Sequence, residues 1–141
     1  MSEAVTSARR QHAVETLAGR LRYLAPQEGG EAGRQDRQAV NSVIQGSAAD
    51  LLKCAMVGLW EELERWGCEI VLQIHDELII DCADCEETKT AVIALLREGM
   101  CVRAKRRLLE LYALNHGGQG AVVDVPLEQS VQVGKNLGMD Q

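Results

Sequence analysis

The sequence predicts an α+β protein with long helices and an antiparallel β-hairpin. Residues 36–67 indicate one long helix, with Asp36 as a suitable N-cap and Gly67 as a suitable C-terminal stop. Residues 69–74 and 78–81 are short, branched apolar runs separated by three polar residues, which is a hairpin pattern. No βαβ unit is repeated, so the pattern favours an antiparallel sheet.

Local composition predicts the remaining elements. Residues 4–24 indicate a helix that leads into a short, Arg-rich strand or turn, and residues 25–35 form a loop rich in Pro, Gly and Glu. A second helix is predicted for residues 86–112. Closing strands are predicted for residues 121–134, where Pro126 indicates an edge or a bulge.

The composition argues against a membrane protein and against a secreted one. Apolar residues make up 46% of the 141, but no stretch approaches the roughly 20 that a membrane span needs. The segment 1–11 lacks the apolar region of a secretory signal. The five cysteines are an odd number without the spacing of a disulfide framework. We therefore expect reduced thiols in an intracellular compartment.

The charge is negative in total but uneven along the chain. A net charge of −6 argues against nucleic acid as a partner, because nucleic-acid-binding domains are usually basic. Up to Lys53, however, there are seven Arg and Lys residues against six Asp and Glu, while the remainder has eight against fifteen. A negative total therefore does not exclude binding of nucleic acid by the first part.

A row of polar side chains lies on one face of the predicted long helix. At about 100° per residue, Arg37, Asn41 and Gln45 share that face, which further along carries leucines at positions 52, 59 and 63. Such side chains can bind bases, sugars and phosphates. The small residues at 46–49 beside the row would let another body approach the backbone. Spacing alone leaves a ligand face or a solvent-exposed face open, and solvent exposure is the commoner case.

Three ionisable residues, His75, Asp76 and Glu77, lie between the apolar runs of the predicted hairpin. They are costly between buried strands unless they occupy a turn or a functional site. Asp76 and Glu77 should point to different sides, so we do not expect them to be equivalent ligands of one metal. A carboxylate oxygen of Asp76 suits a hard cation such as Mg²⁺. A solvated acidic turn stays open as the alternative.

Four segments, in order, resemble segments of family A DNA polymerases. RQAVNSVIQGSAADLLK, at 37–53, resembles the long palm helix of the family, and QIHDEL, at 73–78, resembles its motif C hairpin. ETLAGRLRYL, at 15–24, resembles the segment that follows the fingers, and residues 125–134 are similar to the closing strand. The long helix is most similar to the theta and nu branch of eukaryotic repair polymerases.

The resemblance implies one domain, the C-terminal part of a polymerase palm. Its expected segments are a post-fingers segment (1–35), the long helix (36–67), the motif C hairpin (69–81), a helix (86–112) and closing strands (121–134). The implied reaction is attack of a primer 3′-hydroxyl on the α-phosphate of an incoming deoxynucleotide, between two Mg²⁺ ions.

The resemblance also implies a role for each matched residue. Asp76 would be a metal-binding catalytic carboxylate, Glu77 a nearby and less essential acid, and His75 a contact to the primer terminus. Primer–template DNA would be contacted by Arg20, Arg37, Asn41, Gln45 and His75. The polar row on the long helix would face the minor groove, whose acceptors are present on every base pair.

Two parts that the family needs have no counterpart in residues 1–141. One is a second aspartate, in a strand before the fingers, and the other is the fingers helix that binds the triphosphate. Leu21, Leu137 and the longer connection at 103–120 also depart from the family pattern. We therefore expect Asp76 to supply one carboxylate of the Mg²⁺ site, with the other missing from this chain. The chain is not expected to polymerise DNA alone.

The expected partners are primer–template DNA, deoxynucleoside triphosphates and the remainder of a polymerase chain, with no membrane. The expected location is intracellular, and nuclear for a protein of the theta or nu type. The alternative function is a non-catalytic DNA-binding or assembly module that retains this half of the palm.

Overall fold

The computed structural model describes residues 3–25, 32–121 and 123–135, and its fold is α+β, as predicted. The strands form two antiparallel sheets of two strands each, β1–β2 and β3–β4. The elements in chain order are α1 (Glu3–Gln11), β1 (Ala13–Glu15), β2 (Leu21–Tyr23), α2 (Ala32–Arg65), β3 (Glu69–Ile74), β4 (Glu77–Asp81), α3 (Glu86–Arg97), a π-helical turn (Glu98–Arg103) and α4 (Ala104–Asn115).

The chain divides into two units. The first comprises Met1–Leu51 and Arg106–Val123, and the second comprises Leu52–Lys105 and Asp124–Gln141. Helices α2 and α4 each contribute residues to both units. Of the helices in the described residues, none combines the length and the apolar character that crossing a bilayer requires.

The first unit has a core of small and branched side chains: Ala8, Val14, Leu24 and Ala39, with Ala4 and Val43 packed against them. Strand β1 pairs with β2, so that Val14 lies opposite Arg22. The turn between them needs Gly19, which has φ +84°. A Cβ there would collide with Nδ2 of Asn115, which donates to the Ala18 carbonyl at 2.9 Å.

The second unit has a core of larger side chains: Leu59, Leu63, Cys68, Val92 and Leu96. The end of α2 leads into this core through Gly67, which has φ +64°. The N–H of Cys68 donates to the Leu63 carbonyl, and the N–H of Gly67 donates to the Glu64 carbonyl, both at 2.9 Å. This pair of bonds is the Schellman cap, so the predicted stop at Gly67 is confirmed.

Two predictions about the first 36 residues are wrong. The predicted first helix ends early, at Gln11, and β1 follows, because His12 adopts a left-handed conformation with φ +52° that a helix cannot continue. The short Arg-rich strand predicted after it does form, as β2. Helix α2 begins at Ala32 rather than after Asp36. The Asp36 carboxylate does not cap the helix but accepts two hydrogen bonds from Arg9, at 2.6 and 3.1 Å. Of the loop predicted for 25–35, residues 26–31 lie outside the described residues, and residues 32–35 belong to α2 instead.

The helix predicted for residues 86–112 forms, but with an interruption. Its middle is the π-helical turn, and α4 then runs to Asn115. Two sets of contacts are made from the π-helical turn. Buried Gly99 packs directly on Leu59, and Arg103 forms ion pairs with Glu62 and Glu98. A π-helical turn places these groups differently from an α-helix, which sequence periodicity does not show.

The closing strands predicted for 121–134 are not formed at residue 121 or at 123–134, which the structure describes. A strand needs a neighbour for its N–H and C=O groups, and Pro126 has no N–H to offer. Each sheet in the described residues consists of two strands only. Residue 122 lies outside the described part of the chain.

Candidate catalytic hairpin and nucleic-acid interface

The predicted hairpin is present, and its tip is a two-residue turn. Strand β3 ends at Ile74 and β4 begins at Glu77, one residue earlier than predicted, and these two residues pair. His75 and Asp76 make the connection, with His75 at φ +54°. A histidine rarely adopts this left-handed conformation, which is a local cost of about 1–2 kcal/mol. The tip is therefore a tight turn that strains its first residue.

All three ionisable side chains at the tip, His75, Asp76 and Glu77, are exposed. The amide nitrogen Nε2 of Gln73 donates to the His75 carbonyl at 3.1 Å, which ties the turn to β3. The opposite end of the hairpin packs on the core of the second unit through Ile70 and Ile80, which are partly buried. The core therefore anchors the hairpin at its base, while the tip presents three polar side chains to solvent.

Strand β3 is more exposed than the sequence predicts for a buried run. The side chains of Val71, Leu72 and Ile74 are 53%, 45% and 44% exposed. A register shift between Ile70 and Leu72 marks a bulge at this point. The prediction of two buried strands is therefore wrong for β3, because only one face of this two-stranded sheet packs on the core.

A divalent cation is the group that the resemblance implies at the tip, and the donors present fit it in part. Asp76 and Glu77 offer carboxylate oxygens, which are the ligands that Mg²⁺ prefers. Within the described ranges, no three His, Cys, Asp or Glu side chains are grouped closely enough to hold a metal ion. Asp76 as a ligand of a cation therefore stays an expectation from the resemblance.

The polar row on α2 is exposed, as its spacing allowed. Arg37, Asn41 and Gln45 all face solvent. The buried side of this part of α2 carries Ala39, Ser42, Ser47 and Asp50 instead. Further along the helix, the face that carries the polar row is itself buried, through Leu52, Ala55, Leu59 and Leu63. The core-facing side of α2 thus changes between its first and second halves, because each half packs in a different unit.

The small residues beside the row bind a segment of this chain. The turn between β1 and β2 packs on α2 at Gly46, where a Cβ would lie 2.6 Å from Cγ2 of Thr16. The hydroxyl of Ser47 accepts a hydrogen bond from the Leu17 N–H at 2.9 Å. The close approach expected at 46–49 therefore exists at Gly46 and Ser47, whereas Ala48 and Ala49 are exposed.

Arg20, predicted to contact DNA, lies in this turn and is held by α2. Its Nε donates to Oδ1 of Asp50 at 2.9 Å, and its Nη2 donates to the Gly46 carbonyl at 3.2 Å. The other oxygen of Asp50 accepts from the Thr16 hydroxyl at 2.6 Å. The Arg20 side chain remains 47% exposed. Sequence reasoning missed Asp50, although a carboxylate among the small residues of a helix was a signal of such a contact.

The predicted residues therefore fall into two sets. Arg20, Arg37, Asn41 and Gln45 belong to the first unit, and His75, Asp76 and Glu77 belong to the second. In the first set, the guanidinium of Arg20 reaches the carbonyl next to Gln45 in sequence. In the second set, the three residues are consecutive at one turn.

Comparison with known proteins decides the family. The sequence profile of DNA polymerase family A matches residues 1–139. The chain belongs to this family. The DNA polymerase I of Mycobacterium leprae is 33% identical over 98% of this chain, and the enzyme of Thermus filiformis is 38% identical over 87%. The DNA polymerase theta of Drosophila melanogaster is 30% identical over 97% of the chain.

The family A chain also has a solved structural relative. The POL domain of Pol1 from M. smegmatis, in complex with DNA primer-template and dNTP, matches 89% of this chain with a TM-score of 0.61 and 31% identity. The match covers 20% of that relative's chain, and the matches with the three polymerases above cover 14%, 13% and 6% of their lengths. The chain thus spans a small part of each relative.

The relatives of this family A chain include bacterial polymerases I and an insect polymerase theta. They support the family, while the branch within it stays a prediction. Polymerases of family A generally use divalent metals, which is the class of ion that the hairpin carboxylates suit.

Proposed function

We propose that this chain forms part of the palm of a DNA-directed DNA polymerase and that the β3–β4 tip belongs to the active site. The observation that carries the proposal is the exposure of consecutive His75, Asp76 and Glu77 at a two-residue turn, in a chain of family A. The reaction is template-directed addition of a deoxynucleotide to a primer 3′-hydroxyl. The expected location stays intracellular, and nuclear for the theta or nu branch.

Asp76 is the proposed ligand for Mg²⁺. Its carboxylate is exposed at the tip, so a hydrated cation can bind it without entering the protein core. When two such ions are bound, they stabilise charge on the attacking and leaving oxygens of the displacement. Glu77, at the start of β4, is a nearby and less essential acid. The other carboxylate of the Mg²⁺ site comes from outside residues 1–141.

His75 is the proposed contact to the primer terminus. Its ring is exposed directly beside Asp76, and the imidazole can donate a hydrogen bond to a sugar or a phosphate. The backbone of His75 is left-handed, with φ +54°, in the two-residue turn. Strain of this kind is retained where the position of a side chain matters more than the local stability.

The polar row of Arg37, Asn41 and Gln45 is the proposed minor-groove contact. The three side chains are exposed at intervals of four residues, so their donors lie along one line of α2. Minor-groove acceptors occur on every base pair, which suits an enzyme that copies any sequence. The proposed partners are primer–template DNA and deoxynucleoside triphosphates, as in the complex of the M. smegmatis relative.

A chimera tests the role of the hairpin. Residues 1–139 would replace the corresponding segment of the Mycobacterium leprae polymerase, which matches 98% of this chain, and primer extension would be measured with Mg²⁺. We expect Asp76→Asn to lower the rate by about 100- to 1000-fold, since electrostatic groups at a reaction centre contribute effects of this size. Glu77→Gln should have a smaller effect. Asp81→Asn, at the base of the same hairpin, is the matched control and should leave the rate unchanged. Full activity of the Asp76→Asn chimera would overturn the proposal.

We also propose that residues 1–141 alone do not extend a primer. These residues provide the exposed Asp76 but no described group of three metal ligands. The isolated chain should therefore incorporate no deoxynucleotide in the same assay. The opposite result is an isolated chain that extends the primer efficiently and loses that activity in Asp76→Asn. That result would show that neither a second aspartate nor a fingers helix is needed.

A further inference from the structure

Asp50 lies in the middle of α2, and its carboxylate is almost fully buried. Its side chain is 7% exposed, and both oxygens are occupied, by Arg20 at 2.9 Å and by the Thr16 hydroxyl at 2.6 Å. Removing a carboxylate from water is costly, and apolar residues of similar volume often serve a core equally well. Whatever this ion pair adds to stability, it also defines a geometry.

The geometry that it defines is the position of one guanidinium group. Arg20 is held at two points, by Asp50 through Nε and by the Gly46 carbonyl through Nη2. Its backbone N–H donates to the Thr16 hydroxyl at 3.1 Å, so the hydroxyl that binds Asp50 also holds the main chain of Arg20. The side chain is nevertheless 47% exposed. One edge of a rigid cation is therefore open to solvent.

The held cation contacts α2 one residue beyond the end of the polar row. Its Nη2 reaches the carbonyl of Gly46, the residue that follows Gln45. A Cβ at Gly46 would come within 3.4 Å of Nη2 and 2.6 Å of Thr16, so glycine permits this approach. A duplex whose minor groove receives the row brings a phosphate strand to each side of that groove. A fixed cation next to Gln45 suits one of these phosphates.

We propose that Asp50 is a positioning residue for DNA binding, which holds Arg20 so that its exposed edge donates to a backbone phosphate of the duplex bound by the polar row. This inference rests on the proposed function. Holding the guanidinium in advance lowers the entropy lost on binding, and the planar group suits a phosphate better than lysine does. Asp50 itself touches no DNA.

The test asks whether removal of a negative charge at position 50 raises or lowers the affinity for DNA. Asp50→Asn removes one negative charge from a chain of net charge −6, so long-range attraction to DNA should rise. The positioning role predicts the opposite, a dissociation constant about tenfold higher for primer–template DNA, as expected for loss of one charge-assisted contact. Asp36→Asn is the matched control, because it removes the same charge from the same helix and breaks the ion pair with Arg9. Its affinity should be unchanged or slightly higher.

The measurement is fluorescence anisotropy with the full 141-residue chain and a labelled primer–template duplex, at a series of salt concentrations. For Asp50→Asn the slope of log affinity against log salt should decrease by about one phosphate contact. Arg20→Lys should cause a similar loss, although it keeps the charge. The double variant should be no worse than either single one, since both remove the same contact. If Asp50→Asn unfolds the chain, Arg20→Lys is compared with the wild type in its place.

The outcomes separate this inference from the proposed function. If the wild-type chain binds and Asp50→Asn behaves like Asp36→Asn, the positioning role is wrong while the DNA-binding function stands. If the wild-type chain does not bind, the minor-groove contact of the proposed function fails, while the role of the hairpin is tested separately in the chimera. An NMR signal of the Arg20 Nε–H that is protected from exchange, and lost in Asp50→Asn, would then show that the ion pair serves only the fold.

Discussion

Gly99 lies directly against Leu59, so close that a Cβ on the glycine would be 2.5 Å from Cδ2 and 2.9 Å from Cγ of the leucine. Leu59 is fully buried, at 0% exposure, in the core of the second unit. The leucine cannot move aside without displacing its own neighbours, because protein cores are close-packed. This contact fixes the π-helical turn on α2.

The first prediction follows from this contact. Gly99→Ala should lower the free energy of unfolding by about 1–3 kcal/mol, because the added methyl group overpacks the core. Urea denaturation of the full chain measures the change. Gly58→Ala is the control, since Gly58 lies exposed in the same α2 helix and a Cβ added there would meet nothing within 4 Å. It should raise stability by up to about 1 kcal/mol. Equal effects of the two substitutions would contradict the prediction.

Backbone strain at the hairpin tip gives the second prediction. His75→Gly should relieve a left-handed φ of +54° and, after the entropy cost of glycine, stabilise the chain by roughly 0.5–1 kcal/mol. It should also reduce primer extension by the chimera, because the proposed contact to the primer terminus is lost. His12→Gly relieves a similar φ of +52° and is the matched control. It should stabilise equally and leave extension unchanged, and a loss of extension there would point to a structural cause.

The third prediction concerns the polar row of α2. Arg37→Ala and Gln45→Ala should each weaken binding of primer–template DNA by about 1 kcal/mol, or roughly fivefold. Binding of single strands should change less, since they have no minor groove. Lys53→Ala removes a charge from an exposed position elsewhere on α2 and serves as the control for net charge. If Lys53→Ala and Arg37→Ala weaken binding equally, only the charge matters and the row has no special role.

Two cysteines give the fourth prediction. The backbone N–H groups of Thr88 and Glu87, at the start of α3, lower the pKa of exposed Cys85, whereas burial raises the pKa of Cys68. Only the thiolate reacts with alkylating agents. In the folded chain, therefore, iodoacetamide at neutral pH should modify Cys85 first and Cys68 last. Peptide mass spectrometry after timed quenching gives the order, and unfolded chain is the control in which the difference should vanish.

Stability should also depend on pH through Cys68. Because its pKa is raised on folding, the folded chain holds this proton at a pH where the unfolded chain has lost it. The contribution to stability is full below the ordinary pKa of 9.0 and is lost as the pH rises through the folded value. Urea denaturation between roughly pH 8 and pH 10, the range in which ordinary thiols titrate, should show this decline, and Cys68→Ala should show a smaller one. An identical decline in both chains would assign it to other groups.

Much of the candidate site could be predicted because it depends on local pattern. The spacing of Arg37, Asn41 and Gln45 is a property of any α-helix, and all three are exposed. The polar residues between two branched runs form a turn for a similarly local reason. The left-handed backbone at His12 and the helix start at Ala32 were missed. The pairing of Arg9 with Asp36, 27 residues away, is likewise not encoded in any local pattern.

The sequence by itself determined the long helix, its stop at Gly67 and the hairpin with His75 and Asp76 at its tip, because helical period, glycine conformation and turn preference act over a few residues. Only the tertiary structure decided which side of α2 is buried at each point. It also decided that Arg20 pairs with Asp50, 30 residues away. A buried carboxylate is stable only where packing brings a donor to it, and no local pattern encodes that donor.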